Sequence, residues 1–236
     1  MSQLVLSLFP GIGLLDMAFE EEGFCVVRGP DLLWGGDIRR FNPPAGKFDG
    51  VIGGPPCQAH STLAALVEHN GLAKKPCRIG EYERCVAEAS PDWFVMENVR
   101  DAPLPKVVGF SIDAHLIRDH WCGGETMRHR RFSFGTRDGR RLLFDWPALY
   151  RPDPEPAALA SGSAWDYVHQ RPAGTKSRET FENHKRLQGL PADFDIPPFT
   201  VAAKVAAVGN GVPLPMGRAV ARAVKKAIGL QREVAA

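Results

Sequence analysis

Leu4-Val5-Leu6-Ser7-Leu8-Phe9-Pro10-Gly11-Ile12-Gly13 decides how this chain must be read. A short apolar run bounded by turn residues reads as a buried strand, and proline lacks the N–H needed to continue it. The two glycines of Pro10-Gly-Ile-Gly13 form a tight loop. Leu14 to Glu22 then has a helical pattern, with Gly23 as its stop. A strand that passes through a glycine loop into a helix gathers backbone N–H groups and a helix N-terminus around one small volume, and glycine lets a ligand approach that backbone closely.

Outward from this unit the pattern recurs. Cys25 to Val27, Phe48 to Ile52, Trp93 to Met96, Val107 to Ile112 and Phe132 to Gly135 read as strands. Tyr82 to Ala89, Thr180 to Gln188 and Gly217 to Ile228 read as helices. Alternating strands and helices predict an α/β fold with a mostly parallel sheet and helices on both faces. Between Asp138 and about Lys176, prolines at 147, 152, 154, 156 and 172 break the pattern. The expected organisation is a main domain over 1–137, a small loop-rich region over 138–199, and a C-terminal segment over 200–236 that returns to the first domain.

Composition narrows the classes. The 236 residues are 44% hydrophobic and carry a formal net charge of +2, which suits one ordinary core and by itself implies no polyanion partner. Charge is concentrated locally: Arg128 to Arg141 holds six arginines against one aspartate, interleaved with phenylalanines. Arginine among aromatics leans toward phosphate or base contact, although a solvated face is the common alternative. The five cysteines include no C-x-x-C, so no zinc or other metal is expected. There is neither a signal-peptide pattern nor an apolar stretch of roughly 20 residues, which predicts a cytoplasmic protein without a membrane partner.

A second stretch raises the question of chemistry. Val51-Ile-Gly-Gly-Pro-Pro-Cys57-Gln58 drives a strand into two prolines and then a thiol. The strand must stop here, which puts Cys57 at the rim of the sheet; a buried structural thiol is the plain alternative. In the glycine loop, Asp16 stands where a dinucleotide fingerprint wants a third glycine, so an adenosyl ligand without a pyrophosphate fits better. Asp31, 20 residues beyond Gly11, is a candidate for ribose hydroxyls, or else a turn aspartate.

Six motifs in order, Phe9-Pro-Gly-Ile-Gly13, Gly36-Asp-Ile38, Gly54-Pro-Pro-Cys-Gln58, Glu97-Asn-Val99, Arg128-His-Arg130 and Gly209-Asn-Gly-Val212, resemble those of the DNA (cytosine-5) methyltransferases. The resemblance implies a Rossmann-like fold and S-adenosyl-L-methionine as cofactor, released as S-adenosyl-L-homocysteine. Phe9, Gly11, Gly13, Asp37, Ile38, Pro56, Asn210 and Val212 would form the cofactor site, with Asp31 as a further candidate. Arg186-Leu-Gln-Gly-Leu-Pro191 resembles the segment that supports target recognition. Cys57 would be the nucleophile, adding as a thiolate to carbon 6 of a flipped cytosine. Glu97, kept protonated by burial, would donate to ring nitrogen 3. Arg130 would hold the carbonyl oxygen, and Arg128 the active-site loop or backbone. The implied partner is double-stranded DNA, with a restriction endonuclease as a further candidate. An RNA (tRNA) methyltransferase, a catalytically silent relative and a nucleotide-linked oxidoreductase are the alternatives.

The chain also departs from the pattern. No clean acid matches the ribose-binding glutamate. Thr126 replaces a glutamine, His60-Ser61 replaces Phe-Ser, and the insertion after Gly135 has about 44 residues. So short an insertion predicts few base-edge contacts and a target of about two to four base pairs.

Overall fold

The computed structural model describes residues 2–56, 77–146, 153–162 and 177–230. Among these, strands β1 (Leu4–Leu8), β2 (Cys25–Arg28), β3 (Gly50–Gly53), β4 (Trp93–Asn98), β5 (Ser111–Arg118) and β6 (His129–Thr136) form one sheet in the order β2-β1-β3-β4-β6-β5. The first four run parallel. β6 is antiparallel to both β4 and β5. The helices are α1 (Leu14–Glu21), α2 (Ile79–Ala89), α3 (Arg178–Leu187), α4 (Val201–Asn210) and α5 (Leu214–Ala227).

Successive strand residues point to opposite faces, and the two cores divide accordingly. Val5, Ile52, Trp93 and Val95 pack with Phe19 of α1 and Met216, Val220 and Val224 of α5. Their neighbours Leu6, Val51, Phe94 and Met96 pack with Ile79, Tyr82 and Val86 of α2 on the other face. Two glycines make room for rings across the ladder. A Cβ on Gly50 would lie 2.2 Å from the Trp93 indole, and one on Gly135 2.2 Å from the Phe94 ring. α1 and α5 approach closely where Gly217 faces Ala18, at 2.7 Å from a would-be Cβ.

A third cluster joins Leu14 and Ala18 of α1 to Phe181, Leu190, Ile196, Val205, Val208 and Leu214. Residues 177–199, grouped by sequence with the insertion, therefore share a core with the glycine-loop helix. The described part of the insertion, 153–162, docks through main-chain bonds between Met127 N and Glu155 O (2.9 Å) and between Glu155 N and Glu125 O (2.8 Å).

Most elements lie within a few residues of their predicted bounds. The strand expected over Val107 to Ile112 is a correction. Gly109 adopts φ +81°, Phe110 N donates back to Val107 O, and the strand begins only at Ser111. A left-handed residue cannot continue an extended run. Helix α4 has no counterpart in the sequence reading. Four alanines, a lysine and the Thr200 N-cap favour a helix here, a signal the sequence reading passed over, and burial of Val205 and Val208 in the cluster with Leu14 adds to it.

Candidate active site

The site lies at the end of the sheet where β1, β3 and β4 finish and β6 begins. Beyond β1 the backbone is forced into left-handed conformations at Phe9 (φ 56°), Gly11 (φ 56°) and Gly13 (φ 83°). For a phenylalanine this is an uncommon geometry of the kind that clusters at ligand sites. Asp31 Oδ2 accepts from Gly11 N at 2.9 Å, and Trp34 Nε1 donates to Gly11 O at 2.6 Å. Both polar groups of Gly11 are thus held by the turn after β2. Asp31 Oδ1 accepts from Leu33 N at 2.7 Å, so this carboxylate fastens the loop. Trp34 stacks on Phe199, with centroids 5.3 Å apart. A Cβ on Gly11 would meet nothing within 4 Å, which leaves open space over the loop.

Asp16, the residue that breaks the dinucleotide pattern, is buried. Its Oδ1 accepts from Ser7 Oγ at 2.5 Å, and Arg28 Nε lies 3.0 Å from Oδ2. Burial pushes its carboxyl above the usual range, while Ser7 and Arg28 pull it back. The Arg28 guanidinium lies 2.5 Å from where a Cβ on Gly13 would stand, and the φ of 83° at this position favours glycine.

Asp37 caps the short turn Ile38–Arg40 by accepting from Arg39 N at 3.0 Å. The Arg39 side chain also bonds this carboxylate and holds its pKa down, at about 2. Ile38 is buried beneath the turn.

At the end of β3 and β4, Asn98 Nδ2 donates to Pro55 O at 3.0 Å and locks the proline turn to the neighbouring strand. Gly54 stands against Glu97: a Cβ there would be 2.9 Å from Glu97 Oε2. Glu97 does not sit as an isolated buried acid. Arg130 Nε approaches its Oε1 at 2.9 Å, and the side chain keeps 14% exposure. Pro56 is exposed, and Cys57, the next residue, lies outside the described residues, as do His60 and Ser61. The structure therefore brings Glu97, Arg130 and Gly54 together at the end of β3 and β4. No cluster of His, Cys, Asp or Glu among the described residues could hold a metal ion. None of their helices is long and apolar enough to cross a membrane.

Residues 34–185 match the family of C-5 cytosine-specific DNA methylases. The chain belongs to this family. It is 32% identical over 221 residues to the Type II methyltransferase M.NgoPII of Neisseria gonorrhoeae, covering 78% of this chain and 64% of that one. It is 28% identical over 221 residues to the Type II methyltransferase M.FnuDI of Fusobacterium nucleatum, with 78% and 63% covered. The chain thus spans a little under two thirds of the length of these relatives. Its fold is similar to that of the Entamoeba histolytica methyltransferase EhMeth, with a TM-score of 0.66 at 11% identity over 98% of this chain and 100% of the other.

Two arginines of this DNA methylase-family chain have different surroundings. Arg130 faces Glu97, whereas Arg128 is 3% exposed and points inward. Arg128 Nη1 donates to Ala158 O at 2.9 Å and Gly209 O at 3.1 Å, and Nη2 to Asn210 O at 3.4 Å. It joins the insertion, the end of α4 and β6. Burial and the adjacent Arg130 lower its pKa to about 9, which still leaves the guanidinium charged at neutral pH. Beside it, Thr126, where the family usually has glutamine, donates through N (3.0 Å) and Oγ1 (2.8 Å) to buried Asp119. Gly211 packs on Leu14, with a would-be Cβ 2.4 Å from Leu14 Cδ1, so the Asn210–Val212 segment returns to the start of α1. Gln188 holds it there by donating to Val208 O at 2.6 Å and Gly211 O at 3.1 Å.

Sequence reasoning missed Trp34 and Phe199, and it quoted Asn98 and Gln188 inside motifs without giving either a role of its own. A tryptophan in the glycine-rich turn before Asp37 was a usable signal. Phe199 carried none, because its position depends on the fold of α3 and α4.

Proposed function

We propose that this protein transfers a methyl group to carbon 5 of cytosine in double-stranded DNA, with S-adenosyl-L-methionine as cofactor. The observation that carries the reading is the Glu97–Arg130 pair, closed at 2.9 Å beside Gly54 at the exit of the proline turn. Nitrogen 3 and the carbonyl oxygen at carbon 2 are adjacent on a cytosine ring. A carboxyl and a guanidinium that already touch suit those neighbouring atoms.

The residues around Gly11 fit an adenosyl group. The loop is open above Gly11, its backbone is pinned by Asp31 and Trp34, and Asp37 and buried Ile38 line the next turn. When bound there, S-adenosyl-L-methionine supplies the methyl group. Phe9, Gly11, Gly13, Asp37, Ile38, Pro56, Asn210 and Val212 form its site in this reading, and Asp31 acts mainly by fixing the loop.

The protein's own residues carry the remaining chemistry. Cys57 adds as a thiolate to carbon 6, forming a carbon–sulfur bond and breaking the 5,6 double bond. Glu97 gives a proton to nitrogen 3 as electron density arrives there. Arg130 steadies the carbonyl oxygen with a charge-assisted hydrogen bond. After methylation, the proton on carbon 5 leaves to water, expulsion of the thiolate restores the 5,6 double bond, and nitrogen 3 returns its proton to Glu97. Arg128 serves as a positioning residue through its three carbonyl partners. The base must leave the helix for this, at a cost of a few kcal/mol.

Incubation of the protein with radiolabelled S-adenosyl-L-methionine and DNA, followed by bisulfite sequencing, tests the proposal. The expected product is 5-methylcytosine. Label transferred to adenine, or to tRNA in preference to matched DNA, would overturn it.

A further inference from the structure

The outer edge of the sheet carries an aromatic group that the proposed reaction does not use. After β6 the chain turns back along β5: Leu142 N donates to Asp113 Oδ2 at 2.7 Å, and Phe144 packs edge-on against His115 at 5.2 Å. Trp146 then reaches Trp121, in the turn after β5, with centroids 6.1 Å apart. Phe144 and Trp146 are stacked nearly parallel, at 4.8 Å and 11°. Both tryptophans remain open, Trp121 at 42% and Trp146 at 46% exposure. Side chains with this much apolar area are usually covered when they have no ligand.

Register puts this group at the working end of the sheet. β5 ends at Arg118, which pairs with His129, and Ile117 pairs with Arg130. The ledge therefore continues the rim that Glu97 and Arg130 occupy. Arg118 lies over the Trp121 ring at 5.8 Å, and Arg131 follows Arg130 on β6. Exposed indoles with an adjacent guanidinium, on a rim continuous with arginines, match the chemistry of a base-stacking platform rather than a lipid surface or an acidic peptide. A paired base buries its faces in the helix stack, so such a platform selects a base that is already unpaired.

We propose that Trp121, Trp146 and Arg118 form a stacking site for an unpaired base of the nucleic acid that lies across this end of the sheet. This rests on the reading of the protein as a DNA methyltransferase, and extends it to a preference for distorted or partly unpaired substrate next to the target.

The test compares a short duplex carrying one unpaired nucleotide beside a cytosine with its fully paired counterpart, by fluorescence anisotropy of labelled DNA. The wild type should bind the distorted duplex roughly tenfold or more tightly, as stacking of one base on an aromatic ring implies. Trp121→Ala and Trp146→Ala should lose this preference while binding paired DNA as before. Trp146→Phe, which keeps a ring, should retain most of it and guards against misfolding of the alanine variant. Equal wild-type affinity for the two duplexes would overturn the proposal. So would alanine variants that weaken both duplexes alike, or a wild-type dimer that Trp146→Ala dissociates without altering the preference. A wild type that shows the preference but never methylates cytosine would refute the proposed reaction and leave this surface standing.

Discussion

Arg130 Nε lies 2.9 Å from Glu97 Oε1, joining the start of β6 to the end of β4 at the exit of the proline turn. Neither side chain is oriented alone. If both act on one cytosine, Glu97→Gln and Arg130→Lys should each lower the methylation rate by about 10²–10⁴-fold, with a double variant far less impaired than the product of the two. Strictly multiplicative losses in single-turnover assays would mean that the two residues work independently.

Cys57→Ser should abolish methyl transfer and leave cofactor affinity close to wild type, because the glycine loop sits on another strand. Wild-type protein should also form a covalent adduct with DNA containing 5-fluorocytosine, since fluorine cannot leave as a proton does. Turnover by the serine variant, or a denaturing gel without adduct from active enzyme, would remove Cys57 from the nucleophile's role.

Arg128→Met should cost about 2–4 kcal/mol of stability, because it strips the donor from three carbonyls in a buried setting. Urea unfolding measures this directly. A midpoint unchanged from wild type would show that Ala158, Gly209 and Asn210 do not depend on the guanidinium.

Asp119 provides a pH signature. Burial raises its pKa above the ordinary 3.8, against the pull of its Thr126 hydrogen bonds. A raised carboxyl contributes stability that is full below the unfolded pKa and is lost as pH rises through the folded one. Asp119→Asn keeps an acceptor for Thr126 without the charge. The variant should therefore gain on wild type in urea midpoint as pH rises above the ordinary carboxyl value of 3.8. A difference that is flat with pH, or one that shrinks, would contradict the burial argument.

Trp34→Phe keeps a ring against Phe199 but deletes the donor to Gly11 O. Cofactor binding should weaken by about 0.5–1.5 kcal/mol, the net worth of a neutral hydrogen bond. Asp37→Ala should also weaken it, with DNA affinity little changed. Calorimetry that finds both variants at wild-type affinity would place the adenosyl group elsewhere.

Local sequence determined the parts whose physics is local. Proline and glycine stop strands and shape loops through their own backbone restrictions, so the glycine loop at 11–13 and the end of β3 before Pro55 were legible. The continuous apolar runs of β1, β3 and β4 were legible as well, because each strand is buried on both faces. The resemblance of the ordered motifs to a known family suggested Glu97 and Arg130 as partners of Cys57. Tertiary structure alone decided what depends on distant segments meeting. Asp31 could be read as a ribose ligand or a turn residue until its carboxylate was seen holding Gly11 N. Two arginines two residues apart looked alike, yet Arg130 lies on β6 beside Glu97, whereas Arg128, just before the strand begins, is buried against carbonyls 30 and more positions away. The stack of Trp34 on Phe199 likewise comes from distant segments meeting at the glycine loop, since the two residues are far apart in the chain.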